Sequence, residues 1–398
     1  LVIGHFCRSF LPVTSVFRSP LTLPRDSGYN CPALRLSDGP RHEEGSITSA
    51  ADYYRDLVSG ECRGWLPALL RSTLWTASVP YGWATHWRNA RYDRGRRTIH
   101  RVGVFVISIG NVTLGGTGKT PCVEYVARFY HQRGRRVAIL SRGYGGGRGR
   151  NDEALLLDRN LPEVPHLQGA DRVALAHTAI EQFGSEVLVL DDGFQHRRLA
   201  RDLDIVLVDA TVPWGHGYLF PRGLLREPPR SLRRAGTVVL TRCDQCSLEE
   251  RGRLREAIAR IAPTVPVAET VHRPVCLVND DQDKVPLEQL RCGPVAAFCG
   301  LGNPTAFRRT LVGLGAEVQA FRVFPDHHAY SPADLDDLAA WAARQPQQTL
   351  LVTTQKDLVK LRRRQLGGRA LWALRIVLAF DAGKELLDRK LQEVVSSE

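Results

Sequence analysis

The stretch Val102-Gly103-Val104-Phe105-Val106-Ile107-Ser108-Ile109, followed by Gly110-Asn111-Val112-Thr113-Leu114-Gly115-Gly116-Thr117-Gly118-Lys119-Thr120-Pro121, decides how this chain is built. Its first half is a nearly unbroken apolar run rich in β-branched residues, the pattern of a strand covered on both faces in a parallel sheet. Its second half is a glycine turn that ends in Gly-Lys-Thr and opens an amphipathic helical segment from Pro121 to about Arg133. Strand, glycine turn, Gly-Lys-Thr and helix, in that order, form the setting of a phosphate-binding loop. Glycines let backbone amides turn inward around phosphate oxygens, and the amino end of the helix adds a positive dipole. Gly115, Gly116, Thr117, Gly118, Lys119 and Thr120 are therefore the expected nucleotide-binding residues. Lys119 would reach the β- and γ-phosphates of ATP, and the Thr120 hydroxyl would hold Mg2+. The strict pattern wants glycine five residues before Gly118, where this chain has Thr113.

Outward from this loop the chain alternates strand and helix. Val137–Ser141, Val187–Leu190, Ile205–Val208 and Thr237–Leu240 read as strands, with a helix over Ala170–Phe183. Strands alternating with helices predict a parallel α/β sheet, a P-loop NTPase-type core over residues 101–265. The same style continues through strand Val295–Cys299, helix Pro304–Leu314, strand Val318–Val323, helix Pro332–Arg344 and strand Thr349–Thr353. Residues 266–398 are thus expected to form a smaller α/β lobe, with a hinge within about 263–278 that lets the lobes close.

Upstream, residues 1–50 are rich in Pro, Ser, Gly and Arg and lack periodicity, so a disordered extension is expected there. The region 51–100 is helical with an aromatic stripe of Trp65, Leu69, Leu70, Leu74, Trp75, Tyr81, Trp83 and Trp87. The basic cluster Arg88, Arg91, Arg94, Arg96 and Arg97 follows it. Trp and Leu on one side with Arg beyond is the composition of a helix lying in a membrane interface. No stretch reaches the ~18 uninterrupted apolar residues of a spanning helix.

The formal net charge of +12 rests on 54 Lys and Arg, of which only six are lysine. An arginine excess suits phosphate, nucleic acid or an anionic membrane surface. No recognised nucleic-acid module accompanies it, and no nucleic-acid partner is expected. Nine cysteines in 398 residues are too sparse for a disulfide framework. Cys243-Asp244-Gln245-Cys246 has metal spacing, but no second pair supplies the remaining ligands of a zinc site.

Asp191-Asp192-Gly193-Phe194-Gln195-His196 follows strand Val187–Leu190, at the carboxyl edge where open α/β sheets bind ligands. Two adjacent acids are costly to bury without a cation, so Thr120, Asp191 and Asp192 are the expected Mg2+ set. A GTPase would add Asp-x-x-Gly and Asn/Thr-Lys-x-Asp. Here Gly193 breaks the first spacing, and the second survives only as Thr241-Arg242-Cys243-Asp244. A GTPase or metallochaperone-type switch is the weaker reading.

With these motifs in order, the chain resembles the tetraacyldisaccharide 4'-kinase family of lipid A biosynthesis. The resemblance spans about Asp56 to Arg363. It rests on the Gly110–Pro121 loop, Ser141-Arg142-Gly143-Tyr144-Gly145-Gly146, Asp191–His196 with Leu199-Ala200-Arg201-Asp202, and Pro221-Arg222-Gly223-Leu224-Leu225-Arg226-Glu227-Pro228. Further along come Gly302-Asn303-Pro304 with Phe307, Phe324-Pro325-Asp326-His327-His328, and Gln355-Lys356-Asp357. The family tolerates Thr113 in its loop. The resemblance implies transfer of the ATP γ-phosphate to the 4'-hydroxyl of a tetraacylated glucosamine disaccharide 1-phosphate. It implies a peripheral enzyme on the cytoplasmic face of the inner membrane, with no obligate protein partner. It also implies a catalytic aspartate from a Gly-Asp-Glu motif, matched here by Asn151-Asp152-Glu153 with Asn151 in place of glycine. Asp152 is then the expected base and His327, rather than His328, its partner. His216 stands where the family often has asparagine, and the loop after Gly146 is short.

Overall fold

The structure, a computed structural model, describes residues 50–143 and 151–396. The segment expected to be a disordered extension, and Tyr144-Gly145-Gly146 with the short loop after it, lie outside the described residues. Two helices come first, α1 (Ala50–Ser59) and α2 (Trp65–Asp93), separated at Gly60 and Gly64, whose positive φ angles favour glycine. The chain then runs β1 (Phe105–Asn111), α3 (Lys119–His131), β2 (Val137–Ser141), α4 (Asp152–Asn160), β3 (His166–Gln168) and α5 (Arg172–Phe183). Next are β4 (Val187–Asp191), β5 (Leu203–Asp209), β6 (Thr237–Thr241), α6 (Leu248–Ile261), β7 (Val267–Val278), β8 (Lys284–Val285) and β9 (Pro294–Cys299). The remainder is α7 (Pro304–Gly313), β10 (Glu317–Val323), α8 (Pro332–Ala343), β11 (Leu350–Thr354), α9 (Gln355–Leu361), β12 (Gln365–Leu366), β13 (Arg369–Ala382) and α10 (Lys384–Val395).

The described strands form one sheet in the order β10-β9-β11-β13-β7-β6-β5-β1-β4-β2-β3, with short β12 and β8 alongside. The central strands are parallel, as their apolar runs require: β1 pairs β4 and β5, and its residues from Val106 onward are buried. Helix starts follow local chemistry. Ser247 and Glu250 make a capping box for α6, and Ser331 with Asp334 makes one for α8 behind Pro332. Asp171 caps α5, which Gly184 ends in a left-handed turn.

The stretch 263–278, expected to be a hinge, contains strand β7. Its first residues pair parallel with β6, and the rest pairs antiparallel with β13 from Glu269 to Val278. The two halves of the sheet are joined by this hydrogen-bonded pair rather than by a loop. The domain boundary also differs from expectation at the far end. Leu387, Leu391 and Val394 of α10 pack in one core with Ile107, Ile109, Val123 and Tyr130, so the last helix belongs to the phosphate-loop half. Tyr130, fully buried, donates its hydroxyl to the Leu391 carbonyl at 2.6 Å. Each buried Leu or Ile in such a contact contributes about 1.5–3 kcal/mol. A separate core around Phe298, Trp341 and Leu371 holds the second lobe.

Candidate active site

The loop between β1 and α3 carries Gly115 at φ 106° and Gly118 at φ 80°, left-handed backbone that disfavours any side chain. At Gly118 a Cβ would also fall 2.4 Å from Nε2 of His272, which projects from β7. The loop is tied on several sides. Asn111 Nδ2 donates to the Thr117 hydroxyl at 3.1 Å, and the Thr241 hydroxyl donates to the Thr117 carbonyl at 3.0 Å. Leu114 N donates to Leu224 O at 2.6 Å and Arg226 N to Val112 O at 2.8 Å. Arg242, the residue that displaces lysine from the GTPase-like motif, donates to Gly116 O at 2.6 Å and pairs with Asp209. No side chain caps the amino end of α3, which leaves its first N–H groups for an anion.

At the carboxyl edge of β4 the two acids part company. Asp191 is buried, and its Oδ1 has no hydrogen-bond partner. Burial and the charge of Glu153 push its carboxyl up to about 6, against the pull of Lys119. Asp192 takes φ 55° and turns both oxygens to Arg226 Nη1, each at 2.8 Å, with Lys119 Nζ at 3.6 Å. Gly193 allows the turn, because a Cβ there would lie 2.7 Å from the Ser108 hydroxyl. The orphaned oxygen of Asp191, on the strand edge that faces the phosphate loop, suits a hard, oxygen-seeking cation such as Mg2+. Among the described residues no cluster of three or more His, Cys, Asp or Glu is poised for a metal. A Mg2+ that takes most of its ligands from phosphates and water needs none. Asp192, expected beside Asp191 as a ligand, makes its contacts here with Arg226 and Lys119.

Asp152 opens α4, whose cap is Asn151: its side chain accepts from Ala154 N at 3.0 Å and from Gln168 Nε2 at 3.1 Å. The replacement of glycine at this place thus adds a helix cap. His327 Nδ1 lies 2.8 Å from Asp152 Oδ2. Burial alone would raise the Asp152 carboxyl, but the His327 hydrogen bond and charge, with Lys356 and Lys360, hold it at about 2. The same hydrogen bond raises the His327 imidazole against the opposing effect of burial. His328 points elsewhere: its Nε2 is 3.1 Å from Asp334, and its ring packs against Phe324 and Tyr330. The structure therefore separates the two histidines that are adjacent in sequence.

Neighbours that sequence motifs marked without a role now have places. Lys356 Nζ meets Glu153 Oε1 at 3.2 Å, so α9 of the second lobe is pinned to α4. Asp357, fully buried, accepts from Gly300 N, the Thr354 hydroxyl and the Tyr330 hydroxyl, a structural role. His272 belongs to no sequence motif. Its imidazole is driven down to about 4 by burial first and by Arg242 second. His216 sits at φ 63°, backbone that asparagine tolerates well, which accounts for the residue usual there. Cys243 is buried, and its thiol is pushed up to about 12, unsuited to metal or redox work.

The tetraacyldisaccharide-1-P 4'-kinase family model matches residues 70–396. The chain belongs to this family. The tetraacyldisaccharide 4'-kinase of Anaeromyxobacter dehalogenans strain 2CP-C is 46% identical over 316 residues, 75% of this chain and 83% of that one. That of Syntrophus aciditrophicus is 43% identical over 300 residues, 69% and 80% of the two chains. The Aquifex aeolicus LpxK structure in complex with ATP covers 82% of this chain and 99% of its own, at 33% identity and a TM-score of 0.67. Membership leaves the GTPase reading without support, and the family's P-loop kinase fold agrees with the sheet described above.

Proposed function

We propose that this kinase transfers the γ-phosphate of ATP to the 4'-hydroxyl of a tetraacylated glucosamine disaccharide 1-phosphate. The observation that carries the reading is the coupling of the two halves of the site. Asp152 opens α4, which packs against α3 behind the phosphate loop, and Asp152 itself holds His327 of the second lobe at 2.8 Å. An acceptor hydroxyl at Asp152 is therefore adjacent to the phosphate-binding machinery.

The loop amides and the α3 dipole bind the phosphates, and Lys119 stabilises charge on the transferring group. Asp152 accepts the hydroxyl proton as the P–O bond forms, and His327 orients it. A carboxyl held near 2 is a weak base, so its contribution is placement of the hydroxyl and late proton capture. Thr120 and Asp191 would hold Mg2+, which supplies charge neutralisation between the phosphates when bound.

The enzyme works at the cytoplasmic face of the inner membrane as a peripheral protein. No described helix is long and apolar enough to cross a membrane. Yet α2 exposes Trp65 by 80%, Trp75 by 55%, Trp83 by 62% and Trp87 by 61%, a surface that a lipid interface would cover. The helix is bolted to the catalytic half through Glu227, which is fully buried among Arg88, Asn89 and Arg234.

The test is transfer of labelled phosphate from ATP to the tetraacyl disaccharide 1-phosphate, with Lys119→Ala as control. Lys119→Ala should lower kcat/KM by at least about 100-fold. Nucleotide hydrolysis without transfer to the lipid, in the wild type, would refute the assignment.

A further inference from the structure

Away from the phosphate loop, α2 and the segment 218–222 border an open surface cavity of about 290 Å3 lined by Ala68, Arg71, Ser72, Trp75, Tyr218 and Arg222. Two of its six lining residues are arginines, and neither is paired with a carboxylate among the described residues. Arg71 Nη1 donates to Cys62 O at 2.8 Å, Arg222 Nη1 to Val58 O at 3.2 Å, and the Arg222 guanidinium lies 4.3 Å over the Tyr218 ring. Carbonyls and a ring face satisfy geometry but leave both positive charges uncompensated. The cost is visible at Arg222, which burial holds below its ordinary value, opposed by Tyr218 and aided to a lesser degree by the like charge of Arg71. Two half-buried cations that face one cavity call for an anion.

The rim identifies what kind. Of the lining residues Trp75 is 55% exposed and Tyr218 42%, and α2 also exposes Leu69 by 54%, so large apolar side chains accompany the two arginines at the surface. A free phosphate ion has no use for such a surface. A phosphate that carries acyl chains does, because planar guanidinium groups take its oxygens while the chains cover the aromatic surface. We propose that this cavity is a headgroup pocket for an anionic phospholipid of the bilayer, its phosphate held between Arg71 and Arg222 and its acyl chains along the exposed face of α2.

The proposal rests on the peripheral-membrane reading above, and the experiment separates the two. Full-length protein is sedimented with vesicles of phosphatidylcholine alone or mixed with phosphatidylglycerol, with no acceptor or nucleotide present. Wild type should bind both, and the mixed vesicles more tightly. The Arg71→Gln/Arg222→Gln variant should lose at least about tenfold of affinity for the mixed vesicles and keep its binding to phosphatidylcholine. The control Arg94→Gln/Arg96→Gln removes the same charge from exposed positions beyond α2 and should keep most of the gain. Arg71→Gln alone carries the test if Arg222→Gln fails to fold, since Arg71 gives up only its hydrogen bond to Cys62 O.

Equal losses in the two double variants would mean diffuse attraction and overturn the pocket. So would competition by millimolar inorganic phosphate that erases the phosphatidylglycerol gain, which would assign the cavity to a free anion. A raised acceptor KM in neutral detergent for Arg71→Gln/Arg222→Gln would assign it to the kinase substrate and also overturn the proposal. If the wild type binds neither vesicle, the membrane reading itself fails, and the headgroup pocket with it.

Discussion

His327 Nδ1 and Asp152 Oδ2 are 2.8 Å apart although 175 residues separate them in sequence. His327 reaches this position from a left-handed backbone, φ 57°, in a loop whose next residue, His328, is fixed to Asp334 and packed against Phe324 and Tyr330. A non-glycine residue in that conformation is held by its surroundings and commonly marks a functional position.

The proposed mechanism has both residues handle one proton, so they should behave as a unit. Asp152→Ala and His327→Ala should each reduce kcat strongly while the ATP dissociation constant changes little. The double variant should be no more than a few-fold worse than the poorer single one. Steady-state kinetics with an independent ATP-binding measurement decides this. Additive losses, or a full effect from His328→Ala with none from His327→Ala, would show that the wrong histidine is assigned.

The pH profile should follow the same pair. His327 is raised above its ordinary 6.5 by the hydrogen bond to Asp152, and while protonated it holds Asp152 at about 2. The dyad accepts a proton better once His327 is neutral, so kcat should rise with pH through the raised imidazole value. In His327→Ala the burial of Asp152 is no longer opposed by the imidazole, and the limb should move to lower pH. The stability sign is separate: the His327 contribution is full below 6.5 and fades as pH rises through the raised value. The Asp152 contribution is full above 3.8 and fades as pH falls toward about 2. The Tm difference between wild type and His327→Ala should therefore be largest between those two limits.

Asp191 predicts the opposite sign. Its carboxyl is raised from 3.8 to about 6 by burial, so its ionisation opposes folding above about pH 4 and does so fully near neutrality. Asp191→Asn, measured without nucleotide or Mg2+, should raise Tm at pH 7 and lose that gain toward pH 4. The same variant should have little kinase activity, since a group kept at a cost to stability is one that function uses. A lower Tm at pH 7 with activity retained would show that Asp191 is a structural acid.

For the membrane face, removing residues 51–97 would leave Glu227 buried without Arg88 and Asn89, so loss of fold would obscure the result. Point changes at exposed positions avoid this. Trp65→Ala with Trp83→Ala should leave Tm unchanged and weaken binding to phosphatidylcholine vesicles by about tenfold or more. Unchanged vesicle binding would make the aromatic face a structural surface only.

Local pattern was enough for the phosphate loop. An apolar strand, glycines and Gly-Lys-Thr are adjacent in the chain, and the left-handed turns at Gly115 and Gly118 are demanded by those residues themselves. The parallel sheet followed from the same runs, since strands buried on both faces have a continuous apolar signature. Local pattern did not show β7 and β13 as long paired strands. Their runs are interrupted by exposed Arg273 and by the half-buried charge of Arg375, and their pairing joins residues about a hundred apart. Helix α10, polar along most of its length, likewise shows its place only where Leu387 and Leu391 meet α3.

At the site, the sequence determined which residue types were available: the loop glycines with Lys119 and Thr120, the two acids after β4, and an aspartate and histidine carried by family motifs. Tertiary structure decided how they divide the work. It turned Asp192 to Arg226 and left Asp191 with an orphaned oxygen, because a left-handed turn at Asp192 aims adjacent side chains in different directions. It set His327 against Asp152 and His328 against Asp334, brought His272 against Gly118, and gathered Arg71 and Arg222 around one cavity. The physical reason is common to all four. Burial, charge pairing and hydrogen bonds between residues far apart in the chain depend on distance in space, which residue order alone does not contain.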